Sequence, residues 1–200
     1  MIAIIDYGAG NIFSVKNALD YLGVENKLTA DKNEICAADE IILPGVGAFP
    51  WAMKMLRDSG LVDTIREEAR KKPFLGICLG MQLIFDKGYE FEETDGLRLI
   101  GGKVEKIDRK DMIIPHMGWN ELEINRDCPI LKGLPEHPYV YFVHSYAAVC
   151  DDANVSAYCD YGGKITALVY DGAYVYGAQF HPEKSGEVGL QMLRNFAELA

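Results

Sequence analysis

One cysteine has a glycine two residues away on either side, in Gly76-Ile77-Cys78-Leu79-Gly80, at the end of an apolar run that begins at Phe74. A nucleophile carried on a sharp strand-to-helix turn needs small residues at both positions, because the backbone folds back on itself and packs closely there. Near the other end of the chain, Gln179-Phe180-His181-Pro182-Glu183 closes a second apolar stretch with a base and a carboxylate. The base serving a cysteine nucleophile is expected far away in sequence and close in space. Cys78, His181 and Glu183 are therefore the candidate nucleophile, proton carrier and orienting carboxylate of an amide-cleaving triad that works through a thioester. Neither half suffices alone, since a lone cysteine in an apolar segment usually packs and His-Pro is common loop punctuation. Cys36, Cys128, Cys150 and Cys159 read as such packing residues.

Attack on a carbonyl creates an oxyanion that needs preorganised donors. The backbone N–H of Leu79, the residue after the nucleophile, is one candidate. A second lies in Pro44-Gly45-Val46-Gly47, where flanking glycines allow a peptide to turn its N–H toward the substrate, so Val46 and Gly47 complete the expected oxyanion hole. The start of a helix and a neighbouring imidazole would both favour the thiolate form of Cys78. His116, His137 and His144 lack a second ligand at metal spacing, and neither a metal nor a cofactor is expected.

These residues need a frame, and the first half of the chain supplies a recognisable one. Short β-rich runs alternate with amphipathic helices, which predicts a mostly parallel central sheet covered by helices on both faces. The expected strands are Ile2–Asp6, Val24–Leu28, Glu40–Leu43 and Pro73–Ile77. Asn11 is the expected cap of a helix whose apolar positions Ile12, Val15, Leu19 and Leu22 end at Gly23. Residues Pro50–Arg70 read as one or two helices broken near Ser59-Gly60, and Met81–Phe85 as the helix behind Cys78. From Lys103 onward the pattern becomes antiparallel, with a meander of Val155–Tyr161, Ile165–Tyr170 and Tyr174–Phe180 delivering His181, and a closing helix over Val188–Leu199. Sites on open sheets of this kind lie beyond the C-terminal strand ends, where Asp6-Tyr7-Gly8, Pro44–Gly47, Cys78 and His181 all fall.

The 200 residues fit one α/β domain spanning positions 1–200. A formal net charge of −10 argues against a nucleic-acid or anionic-membrane surface and favours a small substrate. The five cysteines include no Cys-x-x-Cys pair, and the N-terminus carries no basic segment followed by a long apolar one. A cytoplasmic protein with free thiols is expected.

Gly76-Ile-Cys78-Leu-Gly80-Met-Gln82 with His181-Pro-Glu183 resembles the class I, or triad, glutamine amidotransferases. More narrowly, Asp6-Tyr-Gly8-Ala-Gly10-Asn11, Pro44-Gly-Val-Gly47, Pro115-His-Met-Gly-Trp119-Asn120 and Tyr141-Phe-Val-His-Ser-Tyr146 resemble the glutaminase subunits of imidazole glycerol phosphate synthase, the HisH family. The resemblance implies L-glutamine as substrate and ammonia passed to a separate HisF-type (β/α)8 cyclase subunit in a heterodimer serving histidine biosynthesis. It implies that Gln82, Ser145 and Tyr146 hold the glutamine head group, and that Asn11, Met117, Trp119, Tyr141 and Lys184 face the cyclase. Met117-Gly118-Trp119, read as a short loop, would suit an interface anchor. The alternatives are a related subunit serving surface-sugar amination, a cysteine hydrolase of another amide or ester, and a catalytically idle interaction module.

Overall fold

The computed structural model describes residues 1–109 and 112–199. Its first half winds strand and helix in turn: β1 (Ile2–Ile5), α1 (Ile12–Tyr21), β2 (Asn26–Thr29), α2 (Lys32–Ala37), β3 (Glu40–Gly45), α3 (Phe49–Asp58), α4 (Val62–Glu68), β4 (Phe74–Cys78) and the short α5 (Leu79–Leu83). β1 pairs in parallel with β2 and β3, and β3 with β4. Every residue of β1, β3 and β4 is buried, because helices cover both faces. Strand alternation divides that core: Ile2, Ile4, Ile42, Leu75 and Ile77 pack toward α1 and the C-terminal helix, whereas Ile5, Ile41, Leu43 and Phe74 pack toward α2, α3 and α4.

The second half contains β5 (Lys87–Gly88), β6 (Thr94–Asp95), β7 (Gly102–Lys106), β8 (His116–Glu121), β9 (Glu123–Ile124), β10 (Tyr139–His144), β11 (Tyr146–Cys150), β12 (Val155–Asp160), β13 (Lys164–Tyr170), β14 (Val175–Ala178) and α6 (Gly186–Ala197). The main sheet has the order β2-β1-β3-β4-β14-β13-β12-β9. β14 runs parallel to β4, with Ala178 beside Ile77, while β13, β12 and β9 extend the sheet antiparallel. β8 and β10 form a separate antiparallel ribbon, and β11-β7-β5-β6 a small third sheet.

The architecture agrees with the expected α/β class, and several details differ. β2 begins at Asn26, since Gly23 and Val24 still close the preceding helix through hydrogen bonds to Asp20 and Leu19 carbonyls. Asn11 occupies the cap position of α1 but makes no side-chain capping bond, its ψ of 60° departing from the extended conformation that capping favours. The helix behind Cys78 starts at once, at Leu79, and ends at Leu83. α2 went unread because it is only six residues long; Asp31 caps it by accepting from the Asn33 and Glu34 N–H groups. Cys36 on that helix is exposed rather than packed, because its neighbour Ile35 takes the buried face. Trp119 lies on strand β8, not in a loop.

Candidate active site

The nucleophile position is built by close backbone contact. Cys78 has φ 55° and ψ −109°, a non-glycine residue at positive φ, a conformation costing on the order of 1–3 kcal/mol that persists only where its surroundings impose it. Those surroundings are glycines. A Cβ on Gly80 would lie 1.8 Å from the Leu43 carbonyl oxygen, one on Gly76 2.6 Å from the Gly80 oxygen, and one on Gly45 2.7 Å from the Gly80 nitrogen. The elbow therefore packs directly on the end of β3, and the sheet register sets Gly45 beside Cys78. Tyr7, at the end of β1, donates its hydroxyl to the Pro44 carbonyl at 3.2 Å and fixes the same strand end.

β14 brings the other half of the candidate triad. Its parallel register with β4 carries the chain past Gln179 to His181, whose backbone N–H donates to the Tyr141 carbonyl at 2.9 Å. Ser185 Oγ clasps both segments, donating to the His181 carbonyl at 2.6 Å and accepting from the Tyr141 N–H at 3.0 Å. On the intervening Pro182–Lys184 turn, Glu183 Oε1 lies 2.7 Å from His181 Nδ1. The two side chains are 1% and 2% exposed. Nε2 of His181 has no hydrogen-bond partner among the described residues and is left for a reacting group. Burial opposes the imidazolium, yet the neighbouring Cys78 and the Glu183 carboxylate outweigh it and push His181 up to about 9. The Cys78 sulfur is 3.9 Å from the Val143 carbonyl oxygen and 3.9 Å from Gln179 Nε2.

A cavity of about 340 Å³ opens over this sulfur, and Val46, Gly47, Leu79, Gln82, Ser145 and Tyr146 all line it together with Cys78 and His181. The structure thus gathers every residue expected to act as oxyanion donor or to hold the substrate. Gly47 has φ +100°, and Val46 is 44% exposed at the cavity mouth. Gln82 is buried, and its amide nitrogen donates to the Tyr146 carbonyl at 2.9 Å and to Gln179 Oε1 at 3.1 Å. Only its carbonyl oxygen remains to accept from a ligand.

Sequence reasoning missed two residues here. Gln179 could have been found, since it stands two residues before His181 and is polar within an apolar run. Glu90, a carboxylate in the cavity wall whose Oε2 accepts from the Phe49 N–H at 2.8 Å, had no local signal. Three other thiols are set apart: burial pushes Cys128 and Cys150 up to about 11 and Cys159 to about 12. His116 and His144 are buried and hydrogen-bonded to each other, whereas His137 is exposed beside Glu121. Among the described residues no group of three or more His, Cys, Asp or Glu could hold a metal ion, and no helix is long and apolar enough to cross a membrane.

The residues expected to face a partner lie on adjoining elements. Met117 and Trp119 are 60% and 53% exposed on β8. Tyr141 sits opposite Trp119 on β10, the two rings meeting edge-on at 6.1 Å. Lys184 is exposed directly after Glu183, on the turn against which α1 packs.

The class-I glutamine amidotransferase family profile matches residues 3–199. The chain is 52% identical over 197 residues to the imidazole glycerol phosphate synthase subunit HisH of Bacillus cereus strain G9842, covering 98% of this chain and 93% of that one. It is 51% identical, with the same coverage, to the HisH subunit of Bacillus anthracis strain A0248. Among solved structures, a glutamine amidotransferase superposes with a TM-score of 0.77 at 23% identity, covering 100% of this chain and 98% of that one. PurLQS from Thermotoga maritima gives 0.75 at 23% identity, covering 98% and 96%. The fold, the cavity over Cys78 and these relationships agree: the chain belongs to the class-I glutamine amidotransferase family and, within it, to the HisH subunits of imidazole glycerol phosphate synthase.

Proposed function

We propose that residues 1–200 act as one amidotransferase domain in which Cys78, His181 and Glu183 hydrolyse L-glutamine and hand the ammonia to a cyclase subunit. The observation that carries the assignment of roles is the pairing of His181 Nδ1 with Glu183 at 2.7 Å while Nε2 stays open beside the thiol. His181 takes the Cys78 proton, and the sulfur attacks the substrate's γ-carboxamide carbon. His181 then returns that proton to the departing nitrogen, so ammonia leaves and a γ-glutamyl thioester remains. Water activated by the same imidazole hydrolyses the thioester to glutamate and restores the thiol. Glu183 holds the ring orientation and stabilises the imidazolium.

The backbone N–H of Leu79 and one from Val46 or Gly47 would receive the oxyanion. Tyr7 anchors Pro44, and Gly45 is wedged on the elbow, so the peptide free to turn lies beyond them at Val46-Gly47. Gln82 Oε1, Ser145 and Tyr146 would hold the glutamine head group, and the Glu90 carboxylate in the same wall suits its ammonium. Asn11, Met117, Trp119, Tyr141 and Lys184 would face a cyclase of (β/α)8 fold in a heterodimer. Ammonia must pass directly between the subunits, because in water it becomes ammonium and ceases to be a nucleophile. Free thiols are in keeping with a cytoplasmic setting.

The test is release of glutamate and ammonia from glutamine by the chain combined with its cyclase subunit, with and without Cys78→Ser. Full turnover by that variant would overturn the assignment.

A further inference from the structure

Two buried histidines have no part in the triad chemistry, and they form a hydrogen-bonded line leading into the cavity wall. His116 Nε2 lies 3.0 Å from Asn120 Oδ1, His116 Nδ1 lies 2.9 Å from His144 Nε2, and His144 Nδ1 lies 2.8 Å from the Tyr146 carbonyl oxygen. That same oxygen accepts from Gln82 Nε2, which also donates to Gln179; Gln179 Nε2 in turn reaches the Cys78 sulfur. The Tyr146 carbonyl is thus held from behind by a histidine and from the front by the glutamine of the elbow helix.

Proton counting fixes the roles along this line. A carbonyl oxygen can only accept, so His144 Nδ1 must carry a hydrogen. The ring is 6% exposed, and burial, helped by the charges of His116 and His181, lowers His144 to about 4 against the opposing pull of the Tyr146 carbonyl. Neutral His144 then has a bare Nε2, which needs a donor, and His116 Nδ1–H is the group in place. His116 is fully buried, stacked between Phe142 at 4.6 Å and Tyr161 at 3.9 Å, and burial lowers its proton affinity too. Its bare Nε2 requires the Asn120 amide to present its NH2 group in place of the Oδ1 that faces it, a half-turn that gives up the long 3.4 Å contact of Nδ2 with the Asp160 carbonyl. Their hydrogen-bond and ring partners Asn120, Tyr146, Phe142 and Tyr161 are uncharged, so none of these would compensate an imidazolium.

We propose that His144 is a positioning residue of the glutaminase, locked by His116 in the Nδ1–H tautomer so that it holds the Tyr146 carbonyl in place for Gln82 and, through Gln179, for the Cys78 sulfur. Free imidazole in water prefers the other tautomer, so two Nδ1–H rings in series are a distinctive signature. The proposal rests on the glutaminase reading above, and its test is chosen to separate the two. Nitrogen NMR of the histidine-labelled chain should show Nδ1 protonated and Nε2 bare for both His116 and His144 at neutral pH. A proton on His144 Nε2 would overturn the proposal whatever the activity, and absence of any glutamine hydrolysis by the wild-type complex would instead sink the glutaminase reading. In the complex with the cyclase, His144→Leu should raise KM for glutamine by about tenfold, the loss of one buried hydrogen bond, with a smaller change in kcat. His144→Asn, whose Nδ2 overlays the donor position, should restore most of that KM. An unchanged KM in His144→Leu, or no recovery in a folded His144→Asn, would likewise overturn it.

Discussion

His144 and His181 line the same cavity and are both buried, yet one is held as a neutral ring and the other as an imidazolium. Burial disfavours the charge on each, so burial is not what separates them. The partner is. His181 faces Glu183 at 2.7 Å and the neighbouring Cys78, and rises to about 9, whereas His144 faces a carbonyl and a second imidazole and falls to about 4. A carbonyl offers a dipole, which orients a ring, and a carboxylate offers a full charge, which also stabilises its proton. In the proposed mechanism the same side chain thus serves as proton carrier in one place and as framework in the other. Both hang from β10: His144 is its last residue, and His181 is hydrogen-bonded to its Tyr141.

The sharpest way to break this contrast is to remove each ring. His181→Ala should lower glutamine hydrolysis by on the order of 10⁴-fold, against the tenfold change in KM expected for His144→Leu, as measured by steady-state kinetics of the complex with the cyclase. Comparable losses from the two would show that His144 does proton chemistry as well. Glu183→Gln should be milder than His181→Ala, about 10²-fold, since orientation survives in part while the compensating charge is gone.

A second expectation concerns the shared strand. If contact with the cyclase acts through the β8–β10 ribbon on both histidine segments and on Val46-Gly47, the chain alone should be a poor glutaminase. Its rate should rise on adding cyclase with its nucleotide ligand by roughly 10²–10³, the worth of one oxyanion donor. Trp119→Ala should abolish most of that rise while Cys78 remains open to alkylation. Equal rates for the chain alone, with cyclase, and with cyclase plus ligand would remove the switch.

The pH dependence sharpens the comparison further. His181 is raised, so its imidazolium persists below about 9 and is lost above it. Glutaminase activity should therefore fall on a basic limb near that pH, and the limb should move to lower pH in Glu183→Gln. Stability carries both histidines with opposite slopes. The His144 contribution is complete above the ordinary value of 6.5 and is lost as pH falls toward about 4, a change on the order of 3 kcal/mol. The His181 contribution is complete below 6.5 and is lost as pH rises toward about 9. Thermal melts between these limits should show His144→Asn flattening the acid side and leaving the basic side unchanged; loss of both slopes together would refute the separate assignment.

The candidate triad was legible because its demands are local. Gly76, Cys78 and Gly80 announce a turn that only small flanking residues permit, and His181-Pro-Glu183 places a ring and a carboxylate within one turn of each other. The helical spacing of Ile12, Val15 and Leu19 and the apolar runs of β1, β3 and β4 likewise expressed themselves through short-range periodicity. Where the signal weakened, so did the reading: α2 has one buried position, Ile35, and Asn11 looks like a cap without making the bond. Cys36 and the Met117–Trp119 segment were misplaced because residue type alone says neither which helix face a cysteine takes nor whether glycine sits in a strand.

Residue types and short spacings determined the candidate nucleophile, its candidate base and carboxylate, the strand–helix alternation and the amide-cleaving family. Tertiary structure alone decided the rest. Insertion of β14 beside β4, in a register that sets Ala178 against Ile77, is what brings His181 to Cys78. Pairing of β8 with β10 is what sets His116 opposite His144, within hydrogen-bond reach, and the latter beside the Tyr146 carbonyl. Such contacts join residues far apart in the chain and depend on strand register, and a shift of one residue would turn each of these side chains to the opposite face.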